Sequence, residues 1–317
     1  MTLTPGGAYD LIAKTVQAVM RGKPDTIRLA VAALFAEGHL LIEDVPGVGK
    51  TTLARCIAAS VGGKWHRIQF TPDLLPGDIT GVMVYHQSAE RFQFHPGGIF
   101  ANVVLADEIN RGTPKTQAAL LEVMAERRVT VDSVSHDVPR PFMVVATQNP
   151  IELEGTYRLP EAQLDRFLMR LSVGYPDHNA EVLVVLGDCA GVSPDELPSV
   201  LDIADLQKVI AEVRKSRVAP EIVSYAVRLA EASRAHPAVR YGASPRGSIA
   251  LIRSAQGIAA THGRDYVIPD DVKDVAHPVL CHRLVLTPDA ELNQLRAEQV
   301  VDELLADTAA PTAAAGS

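Results

Sequence analysis

The stretch that decides the fold runs from residue 40 to residue 52 and reads LLIEDVPGVGKTT. Its first three residues are apolar and predict a short buried strand. A turn rich in proline and glycine follows, and residues 52–61 predict a helix that leaves the turn. The backbone N–H groups of such a loop, together with the N-terminus of the helix, form a site for a polyphosphate. The sequence therefore predicts a P-loop.

The loop also supplies two side chains that a nucleoside triphosphate requires. Lys50 can reach the β- and γ-phosphates, and the hydroxyl of Thr51 can ligate Mg²⁺. One position departs from the usual pattern GxxxxGK[ST], because Asp44 stands where the first glycine is expected. The alternative is an ordinary glycine-rich turn, which the flanking strand and helix disfavour. The predicted nucleotide-binding set is Asp44, Val45, Pro46, Gly47, Val48, Gly49, Lys50, Thr51 and Thr52, with Asp107 from a later strand.

That later strand is the run VVLADE at residues 103–108, which ends in two carboxylates. Successive side chains of a strand diverge, so we expect Asp107 to face Mg²⁺ through water and Glu108 to polarise the attacking water. Alone, the pattern is more typical of a strand that meets solvent. Together with the P-loop it predicts a site for ATP hydrolysis, in which Thr51 and Asp107 hold the metal.

A third polar group follows the next predicted strand, at residues 142–146. Asn149 could hydrogen-bond the γ-phosphate or the lytic water, and a simple Asn-Pro turn is its alternative. Before this strand, residues 129–138 predict a β-hairpin with its turn at Asp132 and Ser133.

The composition narrows the classes of function. The chain has 317 residues, about the length of two domains, and 47% of them are hydrophobic, which is enough for a packed core. Thirty Lys and Arg against 38 Asp and Glu give a net charge of −8, which argues against a broad grip on nucleic acid or anionic lipid. With only 5% aromatic residues, no stacking platform for single-stranded nucleic acid is expected. We therefore expect no nucleic acid partner.

Cysteine content and hydropathy indicate a cytoplasmic protein. Three cysteines are too few and too far apart for a disulfide framework, which favours a reducing compartment. The longest apolar stretch, around residues 29–42, is interrupted by Glu37 and His39, and the first twenty residues lack an apolar core. We expect neither secretion nor membrane insertion.

The pattern changes at residue 177, after which amphipathic helical stretches replace the strands. They cover residues 203–214, 220–235, 245–262, 269–286 and 288–305. We therefore predict an α/β core at residues 1–176, with a parallel sheet covered by helices, and an all-helical domain at residues 177–306. Residues 307–317 have low complexity and predict a disordered tail.

Longer blocks of the sequence resemble the MoxR family of AAA+ ATPases over nearly the whole chain, up to about Leu305. These blocks are EDVPGVGKT at 43–51, IFANVVLADEINR at 99–111, ATQNPIE at 146–152, EGTY at 154–157, LPEAQLDRF at 159–167 and ASPRG at 243–247. The resemblance implies a P-loop AAA+ core followed by a helical lid, with Mg·ATP bound between them. It also implies that residues 70–98 are a helix-2 insert and residues 127–142 a pre-sensor-1 hairpin, both facing the centre of a ring.

The resemblance also implies roles for the site residues. Lys50 and Thr51 correspond to Walker A, Asp107 and Glu108 to Walker B, and Asn149 to sensor 1. Arg166 corresponds to an arginine finger that reaches a neighbouring subunit's nucleotide, and Arg246 to sensor 2 on the lid. The residues alone favour a surface salt bridge of Arg166 with Asp165 or another neighbour, and a cation at a helix start for Arg246. Arg21-Gly22-Lys23 replaces the family's Val-Gly-Gln, which leaves adenine contacts by this segment open.

The implied function is Mg²⁺-dependent ATP hydrolysis by a hexameric ring that remodels or matures a client protein, as a chaperone does. The implied cofactors are ATP and Mg²⁺, and the implied partner is a protein with a von Willebrand factor A domain. One alternative is the motor subunit of a metal chelatase, which the MoxR-like block at residues 154–167 disfavours. Another is a slow nucleotide-gated scaffold, which an intact Glu108 disfavours. The chain has no Asn-Lys-x-Asp motif, which disfavours a GTPase.

Overall fold

The computed structural model describes residues 3–150, 156–189 and 193–311. The strands, in chain order, are β1 (Leu40–Glu43), β2 (Trp65–Gln69), β3 (Val82–His86), β4 (Arg91–His95), β5 (Val103–Asp107), β6 (Arg128–Val131), β7 (Val134–Asp137), β8 (Met143–Gln148), β9 (Met169–Leu171), β10 (Val239–Tyr241) and β11 (Val285–Leu286). The α-helices are α1 (Pro5–Val19), α2 (Pro24–Phe35), α3 (Lys50–Ser60), α4 (Pro76–Thr80), α5 (Pro114–Glu126), α6 (Glu161–Leu164), α7 (His178–Cys189), α8 (Ile203–Arg214), α9 (Pro220–Ala235), α10 (Pro245–Thr261), α11 (Pro269–Leu280), α12 (Pro288–Leu292) and α13 (Ala297–Asp307). Parts of two family-like blocks, at residues 151–155, and residues 312–317 of the predicted tail lie outside the described residues.

A parallel sheet in the strand order β2-β5-β8-β1-β9 forms the centre of the N-terminal part. Alternate residues of its inner strands point to opposite faces, so Leu105 and Val145 belong to one apolar cluster and Val104 and Val144 to the other. Helices α1, α2 and α3 cover the first face, and α5 covers the second. Burial on both faces explains why β5 and β8 are nearly continuous apolar runs. The predicted α/β class is confirmed.

Two strands of this sheet were not predicted. β2 is an edge strand whose residues are mostly exposed or half-buried, so it lacks the apolar run of a buried strand. β9 has only three residues, which is too short for a period to be recognised. Both strands matter for the site, because β2 borders β5 and β9 borders β1.

Two hairpins project from the sheet. The predicted one is formed by β6 and β7, and its turn residues Asp132 (φ 46°) and Ser133 (φ 68°) both have positive φ, as a two-residue type I′ turn requires. Residues 70–98 contain α4 and a second hairpin, in which Val82 of β3 pairs with His95 of β4. The ring of Phe94 stacks on that of His136 at a centroid distance of 3.9 Å, so the two hairpins touch.

The second part of the chain is helical, as predicted, with one small addition. The ranges of α8 and α9 coincide with the predicted ones. The stretch predicted at 269–286 divides, because α11 ends at Leu280 and the chain then forms β11, which pairs antiparallel with β10. The stretch predicted at 288–305 divides at Gln294, whose φ of 57° cannot continue a helix. Strands of two and three residues carry no readable period, which is why this ribbon escaped prediction.

The N-terminal helices pack against the helical part as well as on the sheet. A Cβ placed on Gly257 of α10 would lie 2.4 Å from the carbonyl oxygen of Ala32 in α2, so the two backbones are in close contact and only glycine fits. One apolar cluster continues from α1 and α2 through α8, α10 and α11. The division into residues 1–176 and 177–306 therefore stays a prediction about chain segments. Past α13, the Arg228 guanidinium donates to the carbonyl of Ala309 at 3.0 Å.

Within the described part of the chain, no helix combines the length and the hydropathy that crossing a bilayer requires.

Candidate functional site

The predicted P-loop connects β1 to α3 in a conformation that requires two of its glycines. Gly47 (φ 85°) and Gly49 (φ 92°) lie in the left-handed region, and a Cβ on either would have no atom within 4 Å. These positions therefore need glycine for their backbone angles, while the space beside them is open. Gly49 caps α3 without a side-chain hydrogen bond, so the first N–H groups of the helix face this open side.

A cavity of about 350 Å³ lies at this open side. It is bounded by the residues that end β5 and follow β1 and β8, so it sits at the carboxyl edge of the parallel sheet. The structure brings together eight of the predicted loop and Walker B residues with Asn149 and one residue that was not predicted: Pro46, Gly47, Gly49, Lys50, Thr51, Thr52, Asp107, Glu108, Asn149 and Arg67 line the cavity.

Asp44, Val45 and Val48 belong to the loop but do not line the cavity. Asp44 holds the loop from behind: its Oδ2 accepts hydrogen bonds from Ser172 Oγ (2.9 Å), Val173 N (2.7 Å) and Gly174 N (2.6 Å), just after β9. Burial alone would raise the pKa of Asp44, but these bonds, with one from Val45 N, outweigh it and keep the pKa below its usual value. The departure from the glycine pattern thus fastens the loop to the neighbouring strand.

Asp44 also holds the side chain of Lys50 against the loop. Its Nζ donates to the backbone carbonyl of Asp44 at 2.7 Å. This places an ammonium group beside the N-terminus of α3, where a polyphosphate would meet both. Val48 packs on the apolar cluster under the loop and contributes support only.

The two carboxylates after β5 reach the same cavity. Strand alternation would send them in opposite directions, but Glu108 has already left the strand in a left-handed conformation, with φ 55°. Backbone strain at a non-glycine residue of this kind is typical of functional sites. The expectation of diverging side chains is therefore corrected: alternation holds only inside β5, and Glu108 lies beyond its end.

Each carboxylate is held by other side chains. Asp107 accepts from Thr147 Oγ1 (2.6 Å) at Oδ1 and from Arg67 Nε (3.0 Å) and Nη2 (2.5 Å) at Oδ2. Glu108 Oε2 accepts from Gln69 Nε2 (2.9 Å) and Arg111 Nη1 (2.8 Å). These contacts hold both carboxylates in fixed positions at the cavity wall.

Sequence analysis missed the four residues that hold these carboxylates: Arg67, Gln69, Arg111 and Thr147. Arg67 and Gln69 lie on β2, which was not predicted. Their alternation around the buried Ile68 was the available signal, since polar residues two apart on an edge strand lie on one face.

The oxygen and nitrogen donors of this cavity fit Mg·ATP. Thr51 and Asp107 offer the hard oxygen ligands that Mg²⁺ prefers, Lys50 and the loop N–H groups suit phosphate oxygens, and the glycine side of the loop is open. A second cavity of about 440 Å³ adjoins the loop through Glu43 and Ser172 and has the size for a nucleoside. Core and lid helices both line it, with Thr26 and Leu29 of α2 facing His277, Pro278 and Cys281.

The segment at residues 21–23 does not line this second cavity. Lys23 Nζ donates to the carbonyl of Tyr175 at 2.7 Å, and Gly22 lies against Ala180 of α7, where a Cβ would be 2.5 Å away. The segment packs on the start of α7.

Arg166 and Arg246 lie together in a third cavity, of about 310 Å³, which is separate from the P-loop. Gly38 and His39, which precede β1, and Phe167 and Leu168, which precede β9, form part of its wall. It is therefore at the amino edge of the sheet, and the length of β1 alone separates the two edges by about 13 Å. Arg246, which the resemblance assigns to sensor 2 on the lid, is therefore presented at the edge opposite the P-loop.

The third cavity is rich in positive charge. Five arginines, Arg127, Arg166, Arg246, Arg253 and Arg283, line it with two carboxylates, Glu37 and Asp165. Glu37 pairs with Arg127 at 2.9 Å and Asp165 pairs with Arg283 at 2.8 Å. In the described ranges, no carboxylate pairs with Arg166 or Arg246. Arg166 donates to the carbonyl of Leu121, so the salt bridge with Asp165 that was its alternative is not formed.

Asp165 connects the two segments that carry these arginines. Besides its ion pair with Arg283, it accepts a 2.9 Å hydrogen bond from Ser244 Oγ, the N-cap of α10. Arg246 is the second residue of that helix. A cation gains nothing from the positive end of a helix dipole, so this position does not serve helix stability.

The comparisons with known proteins agree with this geometry. The chain matches the family "ATPase family associated with various cellular activities (AAA)" over residues 39–169 and the AAA lid domain over residues 231–304. It is 48% identical to the uncharacterized protein YeaC of Bacillus subtilis over 96% of each chain. It is 42% identical to the chaperone MoxR1 of Mycobacterium tuberculosis, over 97% of this chain and 86% of that protein. A crystal structure from Cytophaga hutchinsonii, 34% identical, matches with a TM-score of 0.91 and covers 97% of this chain and 96% of that one.

Proposed function

Because the chain belongs to the MoxR family of AAA+ ATPases, we propose that it hydrolyses Mg·ATP in the P-loop cavity as a hexameric ring and uses the energy to remodel or mature a client protein. The observation that carries this proposal is the separation of two cavities. One edge of the sheet has the groups that hold a triphosphate, and the opposite edge has two arginines without a carboxylate partner among the described residues.

In the P-loop cavity, the side chains divide the work by their chemistry. Lys50 holds the β- and γ-phosphates, and Thr51 and Asp107 hold Mg²⁺, which neutralises charge on the phosphate oxygens. Glu108 accepts a proton from, or orients, the attacking water, because its carboxylate lies on the wall beside Lys50 and Asn149. Asn149, buried at the end of β8, hydrogen-bonds the γ-phosphate or the water. The adenosine occupies the adjoining cavity between α2 and α11.

The third cavity supports assembly. Arg166 and Arg246 are too far from their own P-loop to contact its phosphate, so we propose that both reach the nucleotide of a neighbouring subunit. A surface on one edge that fits a different surface on the other edge is a heterologous contact, and such contacts form a ring when the rotation between subunits closes. Arginine suits this role because its planar, permanent charge stabilises a γ-phosphoryl group in the transition state.

The type of client work is proposed from relatives. MoxR1 is named a chaperone, and we extend that role to this chain. We also propose a cytoplasmic location and a partner with a von Willebrand factor A domain. Affinity capture with Glu108→Gln, which should hold ATP and the assembled ring, would identify partners and client.

Mixing two inactive variants tests the assembly proposal. Lys50→Ala chains lack the phosphate cation, and Arg166→Ala chains lack the finger, so neither should hydrolyse ATP alone. Mixed rings contain interfaces that join an intact P-loop to an intact Arg166, and hydrolysis should return in part. Mixed rings that form without any recovery of phosphate release would contradict a finger in trans. Arg246→Ala replaces Arg166→Ala in the parallel test of the second arginine.

A further inference from the structure

Among the residues that line the P-loop cavity, Arg67 is the one that belongs to neither the P-loop nor the Walker B pattern and does not correspond to sensor 1. It lies on edge strand β2 and is about half exposed, with 48% of its side chain accessible. Its guanidinium nevertheless turns into the cavity and places both Nε and Nη2 on Oδ2 of Asp107.

These contacts engage both oxygens of the metal-binding carboxylate. Oδ2 of Asp107 has the two guanidinium donors, and Oδ1 accepts from Thr147 Oγ1 at 2.6 Å. The Asp107 side chain is only 12% exposed, so a further cation can approach it only from the cavity that it lines with Arg67. A magnesium ion, or a water of its shell, that approaches Oδ2 meets the guanidinium of Arg67 there, and the two cations repel each other at such a short distance.

We propose that Arg67 is a positioning residue that competes with Mg²⁺ for Asp107. Its guanidinium stands where the metal or its water must come, and it leaves Asp107 when the metal is bound with nucleotide. The inference rests on the proposed Mg·ATP site and names the group that sets the metal affinity of that site.

The contact is also joined to the second carboxylate. Arg67 Nη2 donates to Gln69 Oε1 at 2.6 Å, and Gln69 Nε2 donates to Glu108 Oε2 at 2.9 Å. When Arg67 leaves Asp107, the amide of Gln69 loses the donor that fixes its orientation. The hydrogen bond to Glu108 is then weakened by the same event, so the arrival of the metal is transmitted to the residue that faces the water.

The experiment measures metal affinity directly. Free Mn²⁺ is titrated by electron paramagnetic resonance against protein in excess over ADP, since Mn²⁺ accepts the same oxygen ligands as Mg²⁺. The variants are Arg67→Gln, which removes the charge, and Arg67→Lys, which keeps it without the two-pronged contact. The matched control is Arg217→Gln, because Arg217 is an exposed arginine of the helical part whose carboxylate partner, Asp265, is 3.8 Å away.

We expect Arg67→Gln to bind Mn²⁺ about threefold to tenfold more tightly than the wild type, as the loss of a half-exposed competing ion pair predicts. Arg67→Lys should fall between the two, and Arg217→Gln should match the wild type. Equal or weaker Mn²⁺ binding by Arg67→Gln, at an unchanged melting temperature, would overturn the inference and leave the ATPase proposal intact. A wild type that binds neither ADP nor ADP-dependent Mn²⁺ would overturn both.

Discussion

The cavities at the two edges of the sheet have opposite chemistry. The P-loop cavity combines two carboxylates with a lysine and glycine backbone, and loops that leave the strands build it. The arginine cavity has five guanidinium groups and two carboxylates, and it is built from segments that enter the strands and from lid helix α10. One edge can hold a metal and a triphosphate, and the other can only stabilise negative charge. Under the proposed function, a single chain has both halves of a catalytic site and presents them in opposite directions.

The largest effect is expected from a substitution that changes the arginine cavity alone. Arg166→Ala should lower the rate of ATP hydrolysis by about 10³- to 10⁵-fold, the range for arginine fingers, because the γ-phosphoryl group loses the charge that the finger brings to it in the transition state. The affinity for ATP should stay near that of the wild type, since the P-loop cavity is untouched. Steady-state phosphate release and nucleotide binding by fluorescence separate the two quantities.

Arg217→Ala, which removes an exposed arginine that lines neither cavity, is the matched control for this change. A parallel loss of affinity and rate in Arg166→Ala would mean that the residue supports the fold of the amino edge and does not act on phosphate.

The next largest effect is expected from a substitution in the P-loop cavity that stops hydrolysis but leaves Mg·ATP bound. Glu108→Gln should keep Mg·ATP bound and lower the hydrolysis rate by about 10²- to 10⁴-fold, because an amide hydrogen-bonds water but cannot accept its proton. Single-turnover assays and binding measured by calorimetry test this. Glu122→Gln on α5, an exposed glutamate outside both cavities, is the control. Phosphate release at the wild-type rate would return Glu108 to a structural role.

The two cavities also differ in how far the sequence predicts them. The P-loop, the Walker B carboxylates and Asn149 could be located because each follows a buried strand, and parallel strands bring their carboxyl ends to one edge. Arg67 could not, because β2 is an edge strand with few buried residues. The neighbourhood of Arg166 and Arg246 depends on how α10 packs beside residues about 80 positions earlier, and local periodicity contains no information about that packing. Family resemblance named both arginines, but only tertiary contacts such as Asp165 to Ser244 show that they share a cavity.

A smaller effect is expected from Asn149, which lies in the wall of the P-loop cavity. Asn149→Ala should slow hydrolysis by roughly tenfold and change ATP affinity less, because an uncharged hydrogen bond to water or to the γ-phosphate matters chiefly in the transition state. Comparing kcat with the dissociation constant of ATP provides the test. Equal losses in both would indicate that Asn149 only terminates β8.

The smallest effect concerns the stability of the arginine edge at low pH. His39 is fully buried there, its Nδ1 accepts from Val144 N at 3.0 Å, and its Nε2 therefore donates to the carbonyl of Met124 at 3.1 Å. Burial, with the charges of Arg127 and Arg253 adding to it, lowers the pKa of His39 to about 4, even though the Met124 carbonyl acts in the opposite direction. The folded protein thus keeps this ring neutral where the unfolded chain would protonate it.

The sign of the pH dependence follows. The unfolded chain takes up a proton near pH 6.5 and the folded chain only near pH 4, so the contribution of His39 is complete above pH 6.5 and is lost as the pH falls toward 4. Between pH 7 and pH 5 this one residue should lower the free energy of unfolding by about 2 kcal/mol. His39→Gln should be less stable at pH 7, because it loses ring packing, but its stability should fall by about 2 kcal/mol less over this range. Urea unfolding at the two pH values measures the difference, with the half-exposed His277→Gln as control. If the wild type and His39→Gln lose equal stability between pH 7 and pH 5, burial does not keep His39 neutral in the folded protein. The acid sensitivity of the chain then has another source.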